Sequence, residues 1–155
     1  MIIYGIDPDS KAHGVAVYDA GQLVRLEMRT LTPLVLDIRE TMGQEEGCIV
    51  AVEDVAARSY IYQRNTQASK AAQSKVAVHI GRCQQAQIEL VRALAYFNID
   101  VMLFKPAQGN WAKNKKQFEK FTGWKKSSNA DTRAAAYFGY LACQKRYARQ
   151  SIKKY

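Results

Sequence analysis

The sequence predicts an α/β fold: one mixed sheet of five strands, three antiparallel and then two parallel, flanked by helices. Three observations predict it. Two turn signatures, Asp7-Pro8-Asp9-Ser10 and Asp19-Ala20-Gly21, divide the first 29 residues into three runs of strand length. The run Cys48-Ile49-Val50-Ala51-Val52 is apolar throughout, the composition of a strand covered on both faces. A proline-free stretch rich in helix formers, 66–97, precedes a further apolar run at 100–104.

The first strand is Ile2 to Ile6. Asp7 ends it, and Pro8 lacks the donor that a continuing ladder needs. The second strand runs from about Gly14 to Tyr18 and the third from Gln22 to Arg29. Thr32-Pro33 opens a helix carrying Leu34, Val35, Ile38 and Met42, with Gly43 or Gly47 ending it. The fourth strand, from Cys48, ends in Glu53-Asp54. An irregular segment, AARSYIYQRN, follows and gathers Arg58, Tyr60, Tyr62 and Arg64. Residues 66–97 read as one long helix, or two with a break near Gly81, with Val76, Ile80, Cys83, Leu90 and Leu94 forming much of an apolar stripe. A mid-helix glycine costs about 1 kcal/mol against alanine, so close backbone packing is the expected purpose of Gly81.

The fifth strand, 100–104, is closed by Lys105-Pro106. Lysines 105, 113, 115, 116, 120, 125 and 126 then interleave with Trp111, Phe118, Phe121 and Trp124, some of which must serve as core for a short helix near 112–122. The last helix starts after Ser127-Ser128 and runs to about Arg149, followed by a basic tail.

The 155 residues fit one domain, 1–155, with a substantial core. Neither a run of 18 apolar residues nor a secretory signal pattern is present, so a cytoplasmic protein is expected, with no membrane partner. Cys48, Cys83 and Cys143 are odd in number and widely spaced. They fit no zinc pattern and read as reduced core thiols. The formal net charge of +9 points to a polyanionic partner, nucleic acid before membrane.

Three acids fall at three element ends. Alone, Asp7 reads as the opener of an Asx-turn, and Ser128-x-x-Asp131 as a capping box. Together they suggest more. Asp7 ends strand one and Glu53 ends strand four. In the last helix Asp131 shares a face with Ala135, Phe138 and Ala142, the face that packs on the sheet. Clustered carboxylates repel unless a divalent cation joins them, and all-oxygen ligands suit Mg²⁺ or Mn²⁺. Two such ions about 4 Å apart serve phosphodiester hydrolysis. A basic protein with that site is most simply a nuclease.

The run GIDPDSKAHGVAV resembles the first strand of RuvC-like Holliday junction resolvases, in the ribonuclease H and retroviral integrase superfamily. VAVEDV is similar to their second acidic strand. GRCQQAQ, FKPAQGNWAKNKKQF and NADTRAAAYFGY resemble, in order, the helix, lysine segment and final acidic helix. The resemblance spans essentially the whole chain and is that of a divergent, viral or phage-type member. It implies a ribonuclease H-like fold and a metal-dependent endonuclease that cuts four-way and other branched DNA as a homodimer. It implies Mg²⁺, two ions per site, with Mn²⁺ able to substitute and no small-molecule cofactor. Asp7, Glu53 and Asp131 match acidic positions. A second acid in the final helix, at 128 or 134, is missing, and Asp54, Asp9 or a water is expected to substitute. Lys105, Lys113, Lys115 and Lys116 are expected on phosphates, with Lys116 also a candidate for charge stabilisation at the scissile group. Arg58 and Arg64 are expected on the DNA backbone, Tyr60 and Tyr62 as wedges against unstacked bases, and the helix 66–97 at the dimer surface. The opening motif also resembles YqgF-like RNA-processing nucleases, and a junction-binding module that does not cut is the non-enzyme alternative.

Overall fold

A computed structural model describes residues 1–44, 47–57 and 69–152. Its strands are β1 (Ile2–Asp7), β2 (His13–Asp19), β3 (Gln22–Arg29), β4 (Cys48–Glu53) and β5 (Val101–Phe104). They form one sheet in the order β3-β2-β1-β4-β5. β1 pairs antiparallel with β2, and β2 with β3, whereas β1–β4 and β4–β5 are parallel. Ala20 and Gly21 close the β2–β3 hairpin with φ of 48° and 82°, the backbone twist that a tight two-residue turn between right-twisted strands requires.

Strand alternation sends successive side chains to two separate cores. Ile3, Ala16, Tyr18, Ala51 and Phe104 face α4 (Ala130–Ile152) together with Trp111 and Phe118. Tyr4, Ile6, Val15, Val17, Val50 and Val52 face α1 (Leu31–Gln44) and the C-terminal half of α2 (Lys70–Tyr96). The sheet is therefore a middle layer, which accounts for the uninterrupted apolar run of β4 between its two parallel neighbours.

The α4 face predicted from sequence is the buried one: Ala135, Phe138 and Ala142 are all at most 1 % exposed. The approach is closest where glycines meet. A Cβ on Gly5 would stand 2.1 Å from the Ala135 carbonyl oxygen, and one on Gly139 would stand 2.7 Å from the Tyr18 ring. The Tyr18 hydroxyl donates to the Ala136 carbonyl at 2.7 Å and ties β2 to the same helix.

Several sequence expectations change. Of the two readings of α2 the single long helix is the one found, N-capped by the Ser69 hydroxyl, which accepts from Ala72 N at 3.2 Å. Gly81 faces open space, so it serves no close packing. Of the expected α2 stripe, Leu90 and Leu94 are buried but Val76 is 50 % exposed, because the N-terminal half of the helix extends past the sheet. The helix expected at 112–122 is a 3₁₀ turn (Trp111–Lys113) followed by α3 (Lys115–Thr122). Asn114 divides them by capping α3, its Oδ1 accepting from Gln117 N at 3.0 Å. No helix among the described residues is long and apolar enough to cross a membrane.

Candidate active site

The parallel pairing of β1 and β4 sets Ile6 beside Val52, so the next residues, Asp7 and Glu53, leave the sheet side by side. Glu53 is 3 % exposed. The Asp7 and Glu53 carboxyl groups act directly on each other, and that interaction favours the protonated form of Asp7. Burial, then Glu53, then the charges of Asp131 and Asp9 push the Asp7 pKa well above the ordinary carboxylate range.

Asp131 reaches this edge from α4. The helix start comes down on β2 at Gly14, the register partner of Asp7. A Cβ on Gly14 would lie 2.4 Å from the Asp131 carbonyl oxygen, so only glycine admits this turn of helix. The expected capping box is displaced by one residue. Asn129 Oδ1 accepts from Thr132 N at 2.8 Å, and Thr132 Oγ1 accepts from Asn129 N at 3.0 Å. Asn129 and Thr132 thus satisfy the helix start and release Asp131 from capping. Burial, and then Asp9, push the Asp131 pKa upward, against the smaller pull of His79 and Arg133.

Asp7, Glu53 and Asp131 line one cavity of ≈ 220 Å³, together with Asp9, His79, Cys83, Asn110, Ala112 and Ala134, among others. Ala134 occupies one of the two positions at which a second helix acid was sought, and it faces the cavity without a carboxylate. Ser128, the other, is turned away to Arg133, whose Nη1 donates to its hydroxyl at 3.2 Å. Asp54 is engaged elsewhere, accepting from Gln87 Nε2 at 2.9 Å. Among the expected substitutes Asp9 is the carboxylate that reaches the cavity. It also owns the Asx-turn expected of Asp7, since its Oδ1 accepts from Lys11 N at 2.9 Å.

The basic segment begins at the same edge, because Lys105 follows Phe104, the register partner of Glu53. Lys105, Lys113, Lys115 and Lys116 are exposed and outside the cavity lining, and Lys115 lies 3.7 Å from Glu119. Arg133 fastens this segment to α4 at Trp111 and Ala112, with Nη2 donating to the Ala112 carbonyl at 2.6 Å and Nε to that of Trp111 at 3.3 Å. Arg58, Tyr60, Tyr62 and Arg64 lie outside the described residues.

Sequence reasoning missed His79, Cys83 and the glutamines beside them. Gln87 is 4 % exposed; its Oε1 accepts from Ala56 N at 2.8 Å, while Gln84 Nε2 donates to the Val55 carbonyl at 3.3 Å. These contacts tie α2 to the end of β4. The available signal was the pairing His79-x-x-x-Cys83-Gln84-x-x-Gln87, polar groups at helical spacing on one face. Cys83 is half-buried at the cavity rather than in the core, and Cys48 is also half-buried, which leaves Cys143 as the core thiol of the expectation.

No family model and no curated protein matches this chain. Among solved structures it is similar to Thermus thermophilus RuvC, with a TM-score of 0.55 and 17% identity over 97% of this chain and 96% of that one. It is also similar to T. thermophilus RuvC in complex with a Holliday junction substrate, with a TM-score of 0.52 and 19% identity over the same shares. The fold is that of RuvC. The RuvC-like sheet, antiparallel through β3-β2-β1 and parallel through β1-β4-β5, agrees with the ribonuclease H-like class expected from the sequence.

Proposed function

We propose that this protein is a divalent-metal-dependent endonuclease for four-way and other branched DNA, acting as a homodimer. One observation carries the reading: Asp7, Glu53 and Asp131, brought from two parallel strand ends and one helix start, line a single cavity at one edge of the sheet. The donor set fits a hard cation. These three residues offer carboxylate oxygens only, and a divalent ion would relieve the repulsion that Asp7 meets from Glu53 and Asp131. When bound, Mg²⁺ or Mn²⁺ would lower the pKa of a coordinated water and stabilise charge on the scissile phosphate.

The protein's own contribution is positional. β1 and β4 hold Asp7 and Glu53 in register, and Gly14 lets Asp131 stand over them. Arg133 keeps the lysine segment fixed to the helix that carries Asp131, so Lys105 to Lys116 can seat phosphates beside the carboxylates. The net charge of +9 supports a nucleic-acid substrate. That a neighbour of this fold has been captured on a Holliday junction supports branched DNA over plain duplex. Val76, Val78 and Ile88 are 50, 54 and 40 % exposed along α2, which supports that helix as the dimer surface.

The deciding experiment compares cleavage of a synthetic four-way junction, the matching duplex and a structured RNA with Mg²⁺. Junction cutting by the parent protein, lost in Asp7→Asn, is the expected result. Preferential RNA cutting would favour the YqgF-like reading. Tight junction binding without cutting at any Mg²⁺ or Mn²⁺ concentration would favour the binding module, which the alanine at 134 would suit.

A further inference from the structure

Beside the carboxylates lies a donor set of another kind. His79 and Cys83 stand one turn apart on α2 and present Nε2 and Sγ 3.7 Å from each other. Asp9, from the β1–β2 turn, places Oδ2 3.9 Å from the same sulfur. The three ligand atoms lie within 4.8 Å of one another. These separations are long for hydrogen bonds but close to those of co-ligands. In a tetrahedral site with bonds of about 2.0–2.3 Å, neighbouring ligand atoms are about 3.3–3.8 Å apart.

We infer that Asp9, His79 and Cys83 form a second metal site, selective for a borderline transition cation of the Zn²⁺ class, on the same cavity as Asp7, Glu53 and Asp131 but with a different donor set. Mg²⁺ is a poor occupant, since thiolate and imidazole are ligands for softer ions. The remaining oxygen of Asp9 is already held by Lys11 N, which orients the carboxylate toward the helix. His79 is exposed, so a fourth position stays open to water or to a phosphate oxygen. On coordination the thiol of Cys83 releases its proton to solvent.

The site has a mechanical meaning. α2 is tied to the body through Gln84, Gln87, Leu90 and Leu94, all in its C-terminal half, while the turns before Cys83 are largely exposed. A cation held by His79, Cys83 and Asp9 would pin the N-terminal half of α2 to the β1–β2 turn. The nuclease reading draws on Asp9 but on neither His79 nor Cys83, so variants of those two residues let the two proposals fail separately.

Co²⁺ titration of the full chain tests it. The expected result is one equivalent giving a thiolate-to-cobalt charge-transfer band, with visible bands of tetrahedral strength that excess Mg²⁺ does not remove. Cys83→Ser should abolish the charge-transfer band and weaken Zn²⁺ binding at least tenfold by calorimetry. His79→Ala should weaken Zn²⁺ binding to a similar extent, whereas Asp7→Asn should retain the band. Zn²⁺ should also slow amide exchange over 70–83 in the parent protein but not in Cys83→Ser. A band that survives Cys83→Ser would place the metal on another thiol and overturn the proposal. So would cobalt bound without a charge-transfer band, or a band lost in Asp7→Asn.

Discussion

Asp7 ties stability and chemistry to a single proton. Its pKa is raised in the folded protein, by burial first and by Glu53 next. The unfolded chain gives up that proton near pH 4, whereas the folded one retains it to a higher pH. The folded state therefore binds more protons over this interval, and stability falls as pH rises from about 4 toward neutrality and beyond. Asp7→Asn should remove that dependence and raise the melting temperature at neutral pH in EDTA, by about 2–4 °C per kcal/mol relieved, while abolishing junction cutting. Melting curves in EDTA from pH 4 to 9 check the first effect; a variant that melts below the parent at pH 8 contradicts it. Asn129 and Asp131 separate the two roles in the other direction. Asn129→Ala should cost about 1 kcal/mol as a lost cap. Asp131→Asn should leave stability within about 0.5 kcal/mol and eliminate turnover. Denaturant melts beside a cleavage assay would expose a reversed pattern. At this scale the three acids were legible because each ends an element. Which acid turns and which residue caps was not, since Asp9 beside Asp7 and Asn129 beside Ser128 offer equivalent chemistry one or two positions away.

Among elements, α4 against the β1–β2 hairpin is the packing that assembles the cavity. Gly14→Ala places a methyl 2.4 Å from the Asp131 carbonyl oxygen, against backbone that cannot swing aside as a flexible side chain would. Overpacking of this kind costs about 1–3 kcal/mol. We expect it to be relieved by lifting the first turn of α4, so the variant should remain folded by circular dichroism yet cut more than tenfold slower. Unimpaired cutting by a folded Gly14→Ala would mean that Asp131 does not need this seat. The strands, α1 and α4 could be read from periodicity and turn residues, because each buries a defined face. α2 was harder. Its sequence carries apolar residues at helical spacing throughout, but the sheet covers only its C-terminal half, and where a long helix outruns its support is decided by the docking partner.

For the whole molecule, charge and topology act together. The chain carries a net charge of +9, while Asp7, Glu53 and Asp131 collect at one sheet edge. Replacing Lys105, Lys113, Lys115 and Lys116 together with Ala should flatten the plot of log affinity against log salt by about 0.9 for each phosphate no longer neutralised. Fluorescence anisotropy on a four-way junction measures this slope, and an unchanged slope would move the DNA to another face. The five-stranded order was legible because the hairpin turns fix β3-β2-β1 and the fully apolar β4 demands a central place. The aromatic cluster around Trp111 was legible only in part. Trp111 and Phe118 are buried but Phe121 is 51 % exposed, and the spacing alone does not distinguish them.

The packing of Gly5 in β1 against Gly139 in α4 joins the first strand of the chain to its last helix. A ribosome delivers β1 well before α4. Contacts between residues so far apart in sequence form late, after the hairpins and local helices. Until α4 is made, the chain can hold Asp7 and Glu53 but lacks Asp131. Any activity that needs all three carboxylates is therefore withheld from the nascent chain and arrives in one step, when α4 docks.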